Sequence, residues 1–380
     1  MSFPTDETEA RVLLSLHPKI GPVRFARLLE RFASASAALA APREAWESLE
    51  GVGGAAAAIR RELAALGPAL EKELAAVRRA GYRTLTGADA DYPEALRSLR
   101  DAPPVLYLWG TLRPRDQWAV ALVGSRSASP YGRAVAERLA RELAQAGVTV
   151  VSGLARGVDA AAHAGALSGG GRTVGVLGSG FSRFYPPENR RLAERMAENG
   201  AVVTEFPLES PPDATHFPRR NRLIAALSLG VVVVEAREKS GALITARLAA
   251  DQGKDVFAVP GSIFSPGSRG PHRLLREGAR PVESAEDVLE EIHALSELIN
   301  APRSTPPAPG RPGDLPPGSR RLLAVLTEDP VGIDALAARA GLAPADVATG
   351  LLHLELSGWA RELPGKNYVR TERALPAVPS

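Results

Sequence analysis

Apolar residues repeat with two different periods along the chain. Up to about residue 82 they recur every three or four positions, in Ala-rich stretches such as VRFARLLERF and AAAAIRREL, which is the spacing of amphipathic helices. Short Gly turns divide these helices at Lys19-Ile20-Gly21-Pro22 and Leu49-Glu50-Gly51-Val52-Gly53-Gly54. The second turn reads like a helix-hairpin-helix, whose free backbone N–H groups can meet a phosphate, although a plain bundle with Gly caps gives the same pattern.

Beyond residue 82 the pattern changes to Val-rich runs separated by helical stretches. The runs are AVALVGS (119–125), VTVVSG (148–153), TVGVLGSG (173–180), AVVTEF (201–206), VVVVEA (231–236) and DVFAVPG (255–261). Continuous apolar strands alternating with amphipathic helices predict an α/β fold, a Rossmann-like, doubly wound parallel sheet covered on both faces. Residues 301–317 hold seven prolines and no apolar period, as an extended linker does. After it, residues 318–373 predict three helices and a hairpin around Pro364-Gly365, a winged-helix-like pattern. The chain thus divides into a helical segment (1–82), a Rossmann-like segment (83–300), the linker and the small last domain.

In doubly wound sheets ligands bind beyond the carboxyl ends of the strands, so the residues there carry the functional information. They are Ser125 and Arg126 after the first Val-rich run, Ser152, Gly153 and Arg156 after the second, and Arg183 after the third. The fourth is followed by Phe217, Arg219, Arg220, Asn221 and Arg222, and the fifth by Arg237, Lys239, Ser240 and Gly241. Each loop supplies a cation, small residues and a following helix start, which together predict an electropositive cleft for several phosphates. Glu205, Glu235 and Glu238 intrude on it. Phe181, Phe184, Tyr185 and Phe217 stand among these arginines, where each is either a stacking face for an unpaired base or core packing. Phe217, between His216 and Pro218, reads least like core.

Composition narrows the chemistry. With 46 Lys+Arg against 43 Asp+Glu the formal charge of the 380-residue chain is +3, so polyanion binding has to come from local placement. The absence of cysteine removes disulfides, thiolate nucleophiles and Cys-ligated metals. No apolar run approaches a membrane span, and MSFPTDETEA is not a leader, so no membrane association and a cytoplasmic location are expected. The first βα turn, GSRSASPYG, lacks G-x-G-x-x-G, and no P-loop, H-E-x-x-H or G-x-S-x-G occurs; no cofactor is expected. Asp159 and His163, at i and i+4, read as structural hydrogen-bonding groups rather than metal ligands because no third ligand stands near. The third helix of the last domain, APADVATGLLHLELSG, has no Lys or Arg, which favours a protein contact or weak DNA contact over sequence-specific readout. Ile263, Phe264, Leu274 and Leu275 surround a turn-rich loop where burial within one chain is hard to arrange, and with His272 they are the expected contact with another copy.

The ordered motifs VGSR, SGLARGVDAAAH, GSGFSRFYPPEN, HFPRRNRLIAALS, KSGALITA and VPGSIFSPGSRGPHRLLREGA, between about Tyr82 and Glu291, closely resemble the DNA-processing protein A (DprA, or Smf) family. That resemblance implies a homodimer that binds single-stranded DNA without catalysis and passes it to the RecA recombinase during natural transformation. It implies DNA contacts at Arg126, Ser152, Gly153, Phe217, Arg220, Asn221, Arg222, Lys239, Ser240 and Gly241, and dimerisation through the late part of the Rossmann segment. Asp213-Ala214-Thr215 stands where relatives carry a basic residue. Two other readings compete. A nucleotide phosphoribohydrolase would place one nucleotide in the same cleft, but the matching run from Glu235 lacks the double Gly and catalytic Glu of P-G-G-x-G-T-x-x-E. A ligand-sensing regulator would need a basic third helix in the winged domain.

Overall fold

The Val-rich runs leave no polar face, so they form strands only where helices cover both sides. In the computed structural model, which describes residues 3–49, 51–292, 294–295, 315–327, 331–356, 359–363 and 367–370, they do so. The strands are β1 (Arg83–Leu85), β2 (Leu106–Gly110), β3 (Ala119–Val123), β4 (Thr149–Ser152), β5 (Thr173–Val176), β6 (Ala201–Thr204), β7 (Gly230–Val233), β8 (Asp255–Ala258) and β9 (Arg280–Pro281). Among the described residues these nine form one sheet in the order β1-β2-β6-β5-β4-β3-β7-β8-β9. From β6 to β9 all neighbours are parallel, while β2 pairs antiparallel with β1 and with β6.

Six helices precede the sheet: α1 (Glu7–Leu16), α2 (Pro22–Phe32), α3 (Ala35–Ala40), α4 (Arg43–Glu47), α5 (Ala56–Ala65) and α6 (Gly67–Arg79). The remaining helices of this unit are α7 (Glu94–Arg97), α8 (Pro130–Gln145), α9 (Val158–Ser168), α10 (Arg190–Asn199), α11 (His216–Ala226), α12 (Gly241–Asp251), α13 (Arg269–Arg276) and α14 (Ala285–Glu291). Alternate residues along each strand feed opposite faces. Val120, Leu122 and Val232 pack with α8, α9 and α14, whereas Ala121, Val123 and Val233 pack with α11 and α12. Helices α1 to α6 have no core apart from the sheet: Leu13, Phe25, Trp46 and Leu63 belong to one apolar cluster with Tyr107, Val202 and Met196. Glu73 of α6 fastens this contact by accepting a hydrogen bond from the Leu208 N–H at 2.7 Å.

Residues 1–300 and 301–380 form two compact units. The second contains α15 (Pro317–Val325), β10 (Val331–Gly332), α16 (Ile333–Ala340), α17 (Pro344–Leu356), β11 (Ala360–Leu363) and β12 (Asn367–Arg370). Its helices pack Leu322, Leu336 and Leu351 against Trp359 and Tyr368, and the strands pair antiparallel in the order β10-β12-β11, a winged helix. Residues 301–314 of the expected linker, and the expected hairpin turn at Pro364 and Gly365, lie outside the described residues.

Candidate nucleic-acid interface

The chain leaves β3 toward β4, β5 and β6 and then returns to the other side of β3 as β7, which makes the β3–β7 boundary the switch point of the sheet. Their carboxyl ends open into a cleft of about 770 Å³, bordered by Ser125, Arg126, Phe217, Arg237, Lys239 and Ser240. Helices α11 and α12 begin at this cleft. Thr215 gives α11 no side-chain cap, and Ser240 of α12 accepts only from the Ala242 N–H, at 3.3 Å. The start of α12 therefore favours an anion, whereas at α11 the Asp213 carboxylate already accepts from the Thr215 N–H at 2.8 Å and the Asp213 carbonyl from the His216 N–H at 3.1 Å.

Helix α8, which would hold a phosphate in a nucleotide-binding relative of this topology, is already occupied. Glu235, buried at the end of β7, accepts from the Ser129 N–H at 2.9 Å and from the Ser129 hydroxyl at 2.5 Å, and Ser129 in turn caps the Gly132 N–H. The fit requires glycine at 132, since a Cβ there would lie 2.4 Å from the Glu235 carboxyl.

The predicted cations separate into two groups. Arg126, Arg237 and Lys239 are exposed at the cleft and form no ion pair among the described residues. The others have partners. Arg156 pairs with Glu188, Arg183 with Glu209 at 3.2 Å, and Arg219 with Glu205 at 2.9 Å. Arg222 is only 7 % exposed and holds Glu205 at 2.7 Å and Asp101 at 3.2 Å, so it is an internal ion pair and not a cleft-facing phosphate ligand. Arg220, 4 % exposed, crosses beneath the cleft to donate to the carbonyls of Gly153 and Val176. Burial lowers its pKa to about 10. Gly153 is needed there, because a Cβ would lie 2.5 Å from an Arg220 nitrogen. Ser152 is fully buried and donates to the Leu122 carbonyl, so its hydroxyl joins strands instead of meeting a ligand. Ser125 accepts from the Ser127 N–H, and Asn221 donates to the Gly241 carbonyl, fixing the starts of α11 and α12 against each other.

The aromatics also divide. Phe181 and Phe184 are buried in the core, Phe181 meeting Tyr82 at a tilt and Trp109 edge-on. Phe217 and Tyr185 are half-buried at the cleft, with ring centroids 5.9 Å apart. Arg126 lies 4.6 Å above the Phe217 ring and Arg156 lies 5.8 Å above Tyr185. The result is two neighbouring ring faces with a guanidinium at either end, that of Arg156 also paired with Glu188, and such faces suit unpaired bases whose phosphates lie toward the exposed cations.

Asp159 and His163 act on the backbone. Asp159 accepts from the N–H groups of Gly153 and Ala155, at 3.1 and 3.3 Å. His163 Nε2 accepts from the Leu154 N–H, so its proton is on Nδ1, which donates to Thr173 Oγ1 at 2.7 Å. Together they pin the turn after β4, where Leu154 takes a left-handed φ of 54°. Burial drives the His163 pKa down to about 3, which keeps the ring neutral. Among the described residues no cluster of His, Asp and Glu could hold a metal ion.

Arg237, one of the strand-end cations, is not among the contacts that the family resemblance implies, yet it stands exposed at the cleft beside Lys239. Of the residues expected to meet another copy, Ile263 and Phe264 stand exposed on the loop after β8. Leu274 and Leu275 are half-buried on α13, and His272 Nε2 donates to the Gly261 carbonyl oxygen of the loop's own framework at 2.9 Å.

Residues 83–293 match the DNA recombination-mediator protein A family, and residues 306–366 match the DprA winged helix domain. The Smf protein of Escherichia coli is 44% identical over 293 residues, 76% of this chain and 78% of that protein. The DNA processing protein DprA of Bacillus subtilis is 44% identical over 239 residues, 62% of this chain and 80% of that protein. The X-ray structure of DNA processing protein A from Streptococcus pneumoniae superposes with a TM-score of 0.68 at 33% identity, over 76% of this chain and 99% of that one. DNA processing protein A from Helicobacter pylori, whose structure concerns its single-stranded DNA binding mode, superposes with a TM-score of 0.50 at 31% identity, over 58% and 96%.

Proposed function

The chain belongs to the DNA recombination-mediator protein A family, and from that premise we propose that it binds single-stranded DNA at the β3–β7 cleft and hands it to a RecA-type recombinase. The observation that carries this reading is the pair of neighbouring rings, Phe217 and Tyr185, beside the exposed cations Arg126, Arg237 and Lys239 and the start of α12. Phosphates meet cations and helix starts there, and unpaired bases meet ring faces. A duplex keeps its bases stacked away from Phe217 and gains only the electrostatic part.

The protein acts without catalysis in this reading. The carboxylates in and behind the cleft have structural partners: Asp159, which lines it, accepts from the Gly153 and Ala155 N–H groups, Glu205 pairs with Arg219 and Arg222, and Glu235 holds Ser129. None of the three is placed as the free base or nucleophile that a phosphoribohydrolase needs. The family's description as a recombination mediator supports RecA as the partner, and the absence of any membrane-length apolar helix among the described residues agrees with a cytoplasmic role. A second copy joins through α13 and the adjoining groove of about 470 Å³, where Leu243, Ile244 and Leu274 are flanked by Arg273 and Glu277.

Fluorescence anisotropy with single-stranded and duplex oligonucleotides of one length, across a salt series, tests the binding. Tighter single-strand binding that falls steeply with salt is expected; equal affinity or a flat salt response refutes it. RecA loading is read from recombinase ATP hydrolysis on protein-coated single strands, with and without this chain. Leu275→Arg should give a monomer in sedimentation.

A further inference from the structure

The loop after β8 carries the two most exposed large apolar residues among the described residues, Ile263 at 78 % and Phe264 at 91 %. It is tightly framed. The Tyr131 hydroxyl donates to the Pro260 carbonyl at 3.1 Å, His272 Nε2 lies 2.9 Å from the Gly261 carbonyl oxygen, and the Ala236 N–H donates to the Gly267 carbonyl at 2.8 Å. The Ser265 N–H closes a turn on the Ser262 carbonyl at 3.0 Å, directly around Ile263 and Phe264. A fixed frame thus holds an aromatic ring in water, which collapse of a loose loop would otherwise prevent.

The position of the loop says what the ring is for. It leaves the carboxyl end of β8, the same sheet edge as the cleft, and β8 lies two strand spacings, about 10 Å, from β3. It borders the segment that brings Arg237 and Lys239 to the cleft, through the Ala236–Gly267 hydrogen bond and Arg269, 3.9 Å from Glu238. Tyr131, also largely exposed, stands on the first turn of α8 and is tied to the loop by its hydroxyl.

We infer that Phe264, with Ile263 next to it in the chain, is a stacking platform for an unpaired nucleobase, extending the single-strand track past β7 and β8. Cations of the β7 loop hold the backbone on the way, and the Phe264 face takes a base that has left the cleft. This rests on the single-stranded DNA reading above. It separates Ile263 and Phe264 from the α13 face, where contact with a second copy is proposed.

The test uses full-length protein, oligo-dT of two lengths, and a Phe264→Ala variant, to which the exposure of the ring gives little reason to misfold. The variant should bind a long oligonucleotide about tenfold more weakly than wild type and a short one, filling only the cleft, equally well. The deficit on the long oligonucleotide should disappear when nucleotides at one of its two ends are made abasic, since phosphates remain and rings do not. Equal affinity of variant and wild type for long oligo-dT overturns the inference, as does a deficit that persists with abasic nucleotides at either end. A deficit accompanied by loss of an oligomer in sedimentation overturns it in favour of a contact between copies. Failure of wild type to bind any oligo-dT refutes the functional reading itself and this inference with it.

Discussion

The Arg126 guanidinium lies 4.6 Å from the centroid of the Phe217 ring, so the free protein already covers a face that its ligand would use. An exposed cation–π contact is worth about 0.5–1 kcal/mol. Stacking of a base on an aromatic is worth about 1–3 kcal/mol, and the displaced guanidinium gains a phosphate. The exchange therefore favours the nucleic acid.

Phe217→Ala should weaken single-strand binding by about 1–3 kcal/mol and change duplex binding much less. Arg126→Ala should weaken it by about 1–3 kcal/mol for every sequence and flatten the salt dependence. Anisotropy titrations at two salt concentrations separate the two effects, and an unchanged salt slope for Arg126→Ala would contradict its phosphate role.

Arg222→Ala should behave differently from Arg126→Ala although both are arginines of the cleft region. It leaves Glu205 buried with only the partly exposed Arg219 beside it, and breaking such a pair costs about 3–5 kcal/mol of stability. A large fall in the urea midpoint is the expected result. An Arg222→Ala protein as stable as wild type, but defective in DNA binding, would return this residue to the interface.

Much of the fold was legible because burial on both faces leaves a signature no other element shares, as in the run Val231 to Val234. The separation of binding from structural arginines was not legible. Glu205 lies 17 residues from Arg222, and Glu188 lies 32 residues from Arg156, so only the folded chain reveals which cations are neutralised. Asp159 and His163 were readable as structural, because an i, i+4 pair without a third ligand can satisfy backbone groups and little else. Phe217 was set apart by its neighbours His216 and Pro218, whereas the burial of Phe181 depends on Tyr82 and Trp109, which arrive from distant strands and turns.

His163 gives the protein a defined acid sensitivity. Its folded pKa, about 3, lies below the usual imidazole value of 6.5, so the unfolded chain binds the proton first as pH falls. The resulting stability is complete above about pH 6.5 and is lost progressively toward pH 3, on the order of a few kcal/mol in total. Glu73, raised by burial, works in the opposite sense and is lost as pH rises. Comparing urea midpoints at pH 7 and pH 5 for wild type and His163→Asn isolates the histidine. The variant should start less stable and lose less on acidification; an identical loss would contradict a neutral buried ring.

Glu235→Gln should cost about 1–2 kcal/mol of stability, through the lost charge at the start of α8. Nucleoside monophosphates incubated with wild type or with this variant should release no free base. Steady release by wild type that disappears in Glu235→Gln or Glu205→Gln would make the protein a hydrolase.

The carboxylate of Glu235 at Ser129 has a consequence for life among metabolites. A switch-point cleft normally offers its first helix start to the phosphate of a single nucleotide, and a cell is full of such molecules. Here that seat is taken by the protein's own anion, with Gly132 shaped around it. A single nucleotide is left with the start of α12 and the exposed cations, where one phosphate gains little, whereas a polymer would sum several such footholds along the edge. Filling the first helix start in advance therefore predicts weak binding of free nucleotides beside firm binding of a strand.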